Sequence, residues 1–278
     1  MQHCCKMSAC CFRQRDAGAR HARPSIRIFL LDNMKKTIPA ALMCATLSLF
    51  ASLPAQAHYL WSENTSKGNL IYFGGVDENV REASPGRLDE FTNLSISVQQ
   101  HKKNDVVTTA RTAKKTHDGF ATAPALSANE TLIGQDVSVP VKDLSAYKLG
   151  ILKLNFYVRH VQIDGVFPAA LDLDAVPTGV ANQLKFSFKG VPLAKFKAKL
   201  IAPNGWITDL RTDAAGLASI ATPWRGNYVI EATYFEDVSG EFEGKRFERI
   251  RHRLGLTVVQ PKGPKTFTPD YAAHDHEH

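Results

Sequence analysis

Beyond residue 57 the sequence has no cysteine: Cys4, Cys5, Cys10, Cys11 and Cys44 all come earlier. That excludes disulfides and thiolate metal ligands from the downstream chain. The two Cys-Cys pairs sit among arginine and polar residues with no second half of a zinc site, so no zinc site is expected from them. Net charge is missing too. Of 34 basic and 27 acidic residues, positions 1–57 hold eight and two, which leaves 26 against 25 and confines most of the formal +7 to the leading segment. A basic nucleic-acid surface is excluded on that balance, and no nucleic-acid partner is expected. No stretch after residue 57 is apolar for the length a bilayer demands, so the processed chain is expected not to span a membrane.

Catalytic signatures are equally scarce. There is no Gly-x-Ser-x-Gly elbow, no phosphate-cradling glycine loop and no His-Glu-x-x-His. Glu63, Asp77, Glu78 and Glu82 could pair as acids, but nothing in their spacing selects them. The chain is therefore not expected to be an enzyme.

What is present first is an export signal. Residues 1–33 read as an upstream extension, with Met34 as the expected start. Lys35 and Lys36 supply a charged n-region, Ile38 to Leu53 an apolar h-region, and Ala55-Gln56-Ala57 a small-x-small cleavage site, so 34–57 is the expected signal peptide and the periplasm the expected location. Ala41-Leu42-Met43 lacks the small residue that a lipidated Cys44 would want before it. Cleavage after Ala57 makes His58 the N-terminus. Its α-amine and imidazole then form a chelate from one residue, a donor pair suited to nickel and copper.

The remainder reads as strands. Leu94, Ile96 and Val98 alternate with polar residues. Leu152, Leu154, Phe156 and Val158 share a face opposite Lys153, Asn155, Tyr157 and Arg159, and Ile250, Leu254, Leu256 and Val258 share one opposite Arg249, Arg251 and Arg253. Turn signals such as Asp118-Gly119, Asn204-Gly205 and Ala215-Gly216 separate the runs. The expected fold is all-β: an N-terminal β domain over 58–176, a lapse in patterning around Pro177 and Gly179, a β-sandwich over 180–260, and a mobile tail over 261–278.

The second region carries Gly190-Val191-Pro192-Leu193-Ala194, then Asn204-Gly205-Trp206, Thr212-Asp213-Ala214-Ala215-Gly216 and Gly226-Asn227-Tyr228. This string resembles Ig-like and transthyretin-like modules. In them Asp213 and Gly216 would make a tight turn, and Tyr228 would act as a corner tyrosine. Together with the Ala57-His58 start, the chain resembles the periplasmic proteins associated with nickel and cobalt uptake, a family long catalogued as a domain of unknown function. The family usually begins its mature chain with histidine, which His58 matches. The resemblance implies binding of Ni2+ or Co2+ and a role beside the components of a metal-uptake transporter.

A nitrogen-rich site needs His58 plus other histidines. Strand parity turns His160 and His252 toward apolar faces, where each is either a hydrogen-bonded core residue or a ligand. His117 lies in a turn beside Asp118-Gly119, and His101, next to Lys102 and Lys103, reads as surface. The tail His274-Asp275-His276-Glu277-His278 is a compositional metal signal. Two alternatives stay open: a copper protein, carrier or oxidative enzyme, built on the same terminal histidine (Cu2+ in place of Ni2+ or Co2+), and a metal-free carbohydrate-binding or adhesion sandwich using Tyr59, Trp61, Tyr72, Phe73, Trp206 and Trp224.

Overall fold

The computed structural model describes residues 58–103, 105–269 and the backbone of 272–273. The upstream extension, the signal segment and His274, His276 and His278 lie outside the described residues. Among the described residues the chain is all-β, with two 3-10 turns, Arg87–Glu90 and Ser145–Tyr147, as its helical elements.

The main sheet has nine strands, and its centre is a parallel pair, Ile151–Gln162 beside Arg249–Gln260. Gly226–Glu236, Lys197–Ile201 and Ile207–Arg211 extend it on one side, and Glu130–Asp136, Ser95–Lys102 and Asp105–Arg111 on the other. The strands expected in two separate regions thus meet in one sheet. The stretch where patterning lapses, near 172–183, itself holds the strand Leu173–Pro177.

Period-two alternation gives each central strand two faces, and both faces of this sheet are covered. Leu152, Leu154, Phe156 and Val158 pack with Leu60, Ile71, Phe73 and Phe91. Tyr157 and Val161 of the same strand pack with Phe186, Tyr228 and Leu256. The first core lies under a six-stranded sheet built around Asn69–Gly75. The second lies under a smaller one containing Leu173–Pro177, Gln183–Phe188 and Leu217–Ser219. The expected polar face of Ile151–Gln162 is therefore buried as well: Arg159 is fully enclosed and meets Asp174 through Nε (2.8 Å) and Nη2 (2.7 Å).

The region 180–260 keeps the expected turn chemistry. Asp213 Oδ1 accepts the N–H groups of Ala215 (2.8 Å) and Leu217 (2.9 Å), and Gly216 takes φ +76°, where a Cβ would be strained. The Tyr228 hydroxyl accepts the Trp224 N–H (2.9 Å) and donates to the Trp224 carbonyl (3.0 Å), as a corner tyrosine does.

Part of the expected mobile tail is tied to the fold. The Arg225 N–H donates to the Pro264 carbonyl at 3.0 Å. Ala272–Ala273 adds a parallel edge strand to Val80–Arg81, with Ala272 opposite Val80 and Ala273 opposite Arg81. No helix among the described residues is long and apolar enough to cross a membrane.

Candidate metal centre

His58 stands directly before the strand Tyr59–Asn64, here called the head strand, which pairs antiparallel with Asn69–Gly75. The head strand lies across Arg249–Gln260 with its backbone against Gly255: a Cβ built there would fall 1.7 Å from the Leu60 carbonyl oxygen. Its side chains part around that contact. Leu60 enters the core with Leu154 and Phe156, whereas Trp61 packs with Ile201 and Val229 and Tyr59 shares a 2.8 Å hydrogen bond with Thr233.

His58 is fully buried. Its Nε2 faces Glu82 Oε1 at 2.9 Å, its Nδ1 faces Arg87 Nη1 at 3.3 Å, and its carbonyl accepts a 2.7 Å hydrogen bond from Arg253. Arg87 Nη1 also donates to Glu82 Oε1 at 2.9 Å. A guanidinium can only donate, so Nδ1 accepts and Nε2 carries the hydrogen toward Glu82. That tautomer suits metal ligation. Nδ1 is the ring nitrogen that closes a six-membered chelate with an α-amine, while the opposite nitrogen lies 2.9 Å from a carboxylate oxygen, the kind of neighbour that orients metal-bound imidazoles. Arg87, about one third exposed, is the partner at Nδ1 that solvent reaches.

The surroundings are rich in charge. Arg251 and Arg253 are buried on the same side of Arg249–Gln260, and burial pulls the Arg253 guanidinium down to about 9. Glu231 is buried beside Asp77 and Lys199, and desolvation pushes its carboxyl up to about 7. Glu82, Arg87 and Arg253 carry no sequence signature. Glu82 is one acid among several in a turn-rich stretch, and Arg253 reads as solvent-side until a second sheet covers it.

The other expected ligands are not gathered at His58. His160 is buried as its parity implied, but its Nδ1 donates to the Ser62 carbonyl at 3.0 Å. Ser62 is four residues along the head strand, about 13 Å away by strand rise. His252 lies on the opposite face of the main sheet and has both ring nitrogens occupied, by Tyr157 (2.9 Å) and Glu236 (3.1 Å). His117 is exposed, with its carbonyl taking the Ser84 N–H. Among the described residues no group of three or more His, Cys, Asp or Glu is placed to hold a metal ion. Of the expected aromatic face, Tyr59, Trp61, Tyr72 and Phe73 are core residues, while Trp206 is exposed and meets Trp224 edge-on at 5.1 Å.

The burial of His160 has a consequence for pH. Desolvation lowers its pKa from 6.5 to about 4, so the unfolded chain takes up the proton first as acid is added. The stability owed to the neutral ring is complete above pH 6.5 and is lost as pH falls toward 4, by roughly 3 kcal/mol. Glu231 acts in the opposite sense, contributing below about 4.5 and losing that contribution by pH 7. His160→Asn is expected to flatten the His160 part of the profile. Urea unfolding at pH 7 and pH 4.5 checks it; an undiminished acid loss in the variant would refute the assignment.

No family model matches this chain, and no curated protein matches it.

Proposed function

We propose that the processed chain is a periplasmic transition-metal-binding protein associated with nickel or cobalt uptake, with His58 as its primary ligand. One observation carries the reading: the buried His58 ring presents Nδ1 to a displaceable arginine and backs Nε2 with Glu82. Removal of a signal peptide after Ala57 adds the α-amine to that nitrogen and completes a two-nitrogen chelate. In this reading the protein binds the ion as cargo, and delivers or senses it beside a transporter. The resemblance in the C-terminal module, with its Asp213 turn and Tyr228 corner, supports the same family. Copper fits the same donors and binds nitrogen sites more tightly than nickel or cobalt, so a copper carrier or oxidative enzyme is the second reading.

Calorimetric titration of the chain beginning at His58 tests the proposal. One extra residue ahead of His58 is expected to weaken Ni2+ binding roughly 100-fold, since it removes a nitrogen donor, about 2.7 kcal/mol. Glu82→Gln is expected to weaken it about 10- to 100-fold by loosening the ring. Unchanged affinity in both variants would exclude His58 as the ligand. Tight binding of Cu2+ alone, followed by peroxide consumption, would favour the copper reading.

A further inference from the structure

We infer that Arg251, backed by Arg253, forms a binding site for a small oxyanion, a carboxylate or a phosphate group, entered from the Arg249 end of the strand Arg249–Gln260. The site stands apart from the metal reading of His58, and its test uses no metal.

Period two puts Arg249, Arg251 and Arg253 on one face of that strand, successive residues about 7 Å apart. Exposure falls inward along the row. The Arg249 side chain is 40% exposed, Arg251 is 7% exposed and Arg253 5%. The two outer members of the row are committed. Arg249 Nε donates to Asp237 at 2.6 Å, and Arg253 Nη1 donates to the His58 carbonyl at 2.7 Å. The middle one is not. Its buried Nε has no hydrogen-bond partner among the described residues, and the buried Nε of Arg253 is in the same state.

The surroundings of Arg251 offset little of its charge. Phe235, its cross-strand neighbour, has its ring centre 5.5 Å from the guanidinium carbon, near the outer limit of cation–π attraction, and shares that ring with Arg249 at 4.8 Å. On the other side the neighbour is Leu154. Glu231, a buried carboxylate on the same face, pairs with Gly255, four residues further along and about 13 Å away by strand rise, and it faces Lys199 at 3.6 Å. Desolvation is accordingly the leading influence on Arg251 and lowers its pKa, with the Tyr59 phenol rather than a carboxylate acting against it. A buried charge is costly until a counter-charge and hydrogen bonds meet it. The guanidinium offers five N–H donors in a planar fork, the shape that takes a carboxylate or a phosphate through two parallel bonds. An oxyanion at Arg251 supplies the missing charge and reaches toward the free Nε of Arg253, with Arg249 and Phe235 framing the way in.

Calorimetric titration and thermal melts of the chain beginning at His58 test the site at pH 7. Inorganic phosphate and malonate are the probes, and sodium chloride at matched ionic strength sets the baseline. One anion per chain is expected, with a saturable rise in melting temperature, and the tighter probe identifies the group as phosphate or carboxylate. Arg251→Lys keeps the charge but loses the fork, and is expected to weaken binding at least tenfold. Arg251→Met is expected to abolish binding and, in chloride alone, to melt no lower than the parent, because a buried charge without a counter-charge is gone. Arg225→Gln, at an exposed arginine outside the row, is expected to bind as the parent does. Absence of saturable binding with both probes would overturn the site, as would an equal loss in Arg225→Gln. A lower melt of Arg251→Met in chloride, together with undiminished binding in Arg251→Lys, would make Arg251 a packing residue and overturn it too.

Discussion

Gly255→Ala is expected to destabilise the protein by about 3 kcal/mol, the upper part of the range for forcing extra atoms into a packed interior. The added methyl would sit 1.7 Å from the Leu60 carbonyl oxygen and 2.8 Å from its carbon. These are backbone atoms, so no rotamer change relieves the contact. The head strand has to lift from Arg249–Gln260 or the main sheet has to bend. Either movement strains the 2.7 Å bond from Arg253 to the His58 carbonyl, so the Ni2+ affinity proposed for His58 is expected to fall along with stability. At this size of domain the stability loss corresponds to a melting shift of roughly 6–12 °C. A thermal melt within 2 °C or so of the parent would show that the head strand does not rest on Gly255.

Asp174→Ala is expected to cost about 3–5 kcal/mol, the usual result of breaking one side of a buried ion pair. Both partners are fully buried, and the carboxylate collects two bonds from Arg159 together with the N–H groups of Ala170, Leu171 and Ala175. Removing it leaves a guanidinium without its counter-charge between the main sheet and the strand Leu173–Pro177, and leaves those N–H groups unmade. Chemical denaturation measures the loss directly. A change below about 1 kcal/mol, the scale of an exposed pair, would mean that water reaches Arg159. Replacing both partners together by apolar residues is expected to recover part of the loss, because no charge is then stranded.

Much of the strand inventory is written locally. The alternation of Leu152, Leu154, Phe156 and Val158 marks one face of a central strand, and Asp213, Gly216 and Tyr228 announce a turn and a corner through the chemistry of two or three neighbouring residues. The covering of the second face is not local. Lys153, Tyr157 and Arg159 look like a wet face because each carries a polar tip, yet Lys153 spends its ammonium on the Val137 and Val139 carbonyls and Arg159 on Asp174. A polar tip with an internal partner and one with water look alike in a period-two pattern. The parallel pairing of Ile151–Gln162 with Arg249–Gln260 joins segments far apart in the chain, and no turn residue specifies it.

The candidate site divides in the same way. His58 is legible from the cleavage motif alone, and the burial of His160 and His252 from strand parity. Glu82 and Arg87 are not legible, because they reach His58 across Asn69–Gly75 rather than along any strand that contains it. Parity also cannot tell the two faces of one sheet apart in space. It places His160 and His252 inside, but not on opposite sides.

The edge strand Ala272–Ala273 places a late segment of the chain on the same six-stranded sheet as the head strand. Engineering at one end is therefore felt at the other. Under the proposed function, a polyhistidine purification handle on the chain would compete for the ion, and a leader remnant before His58 would remove the α-amine.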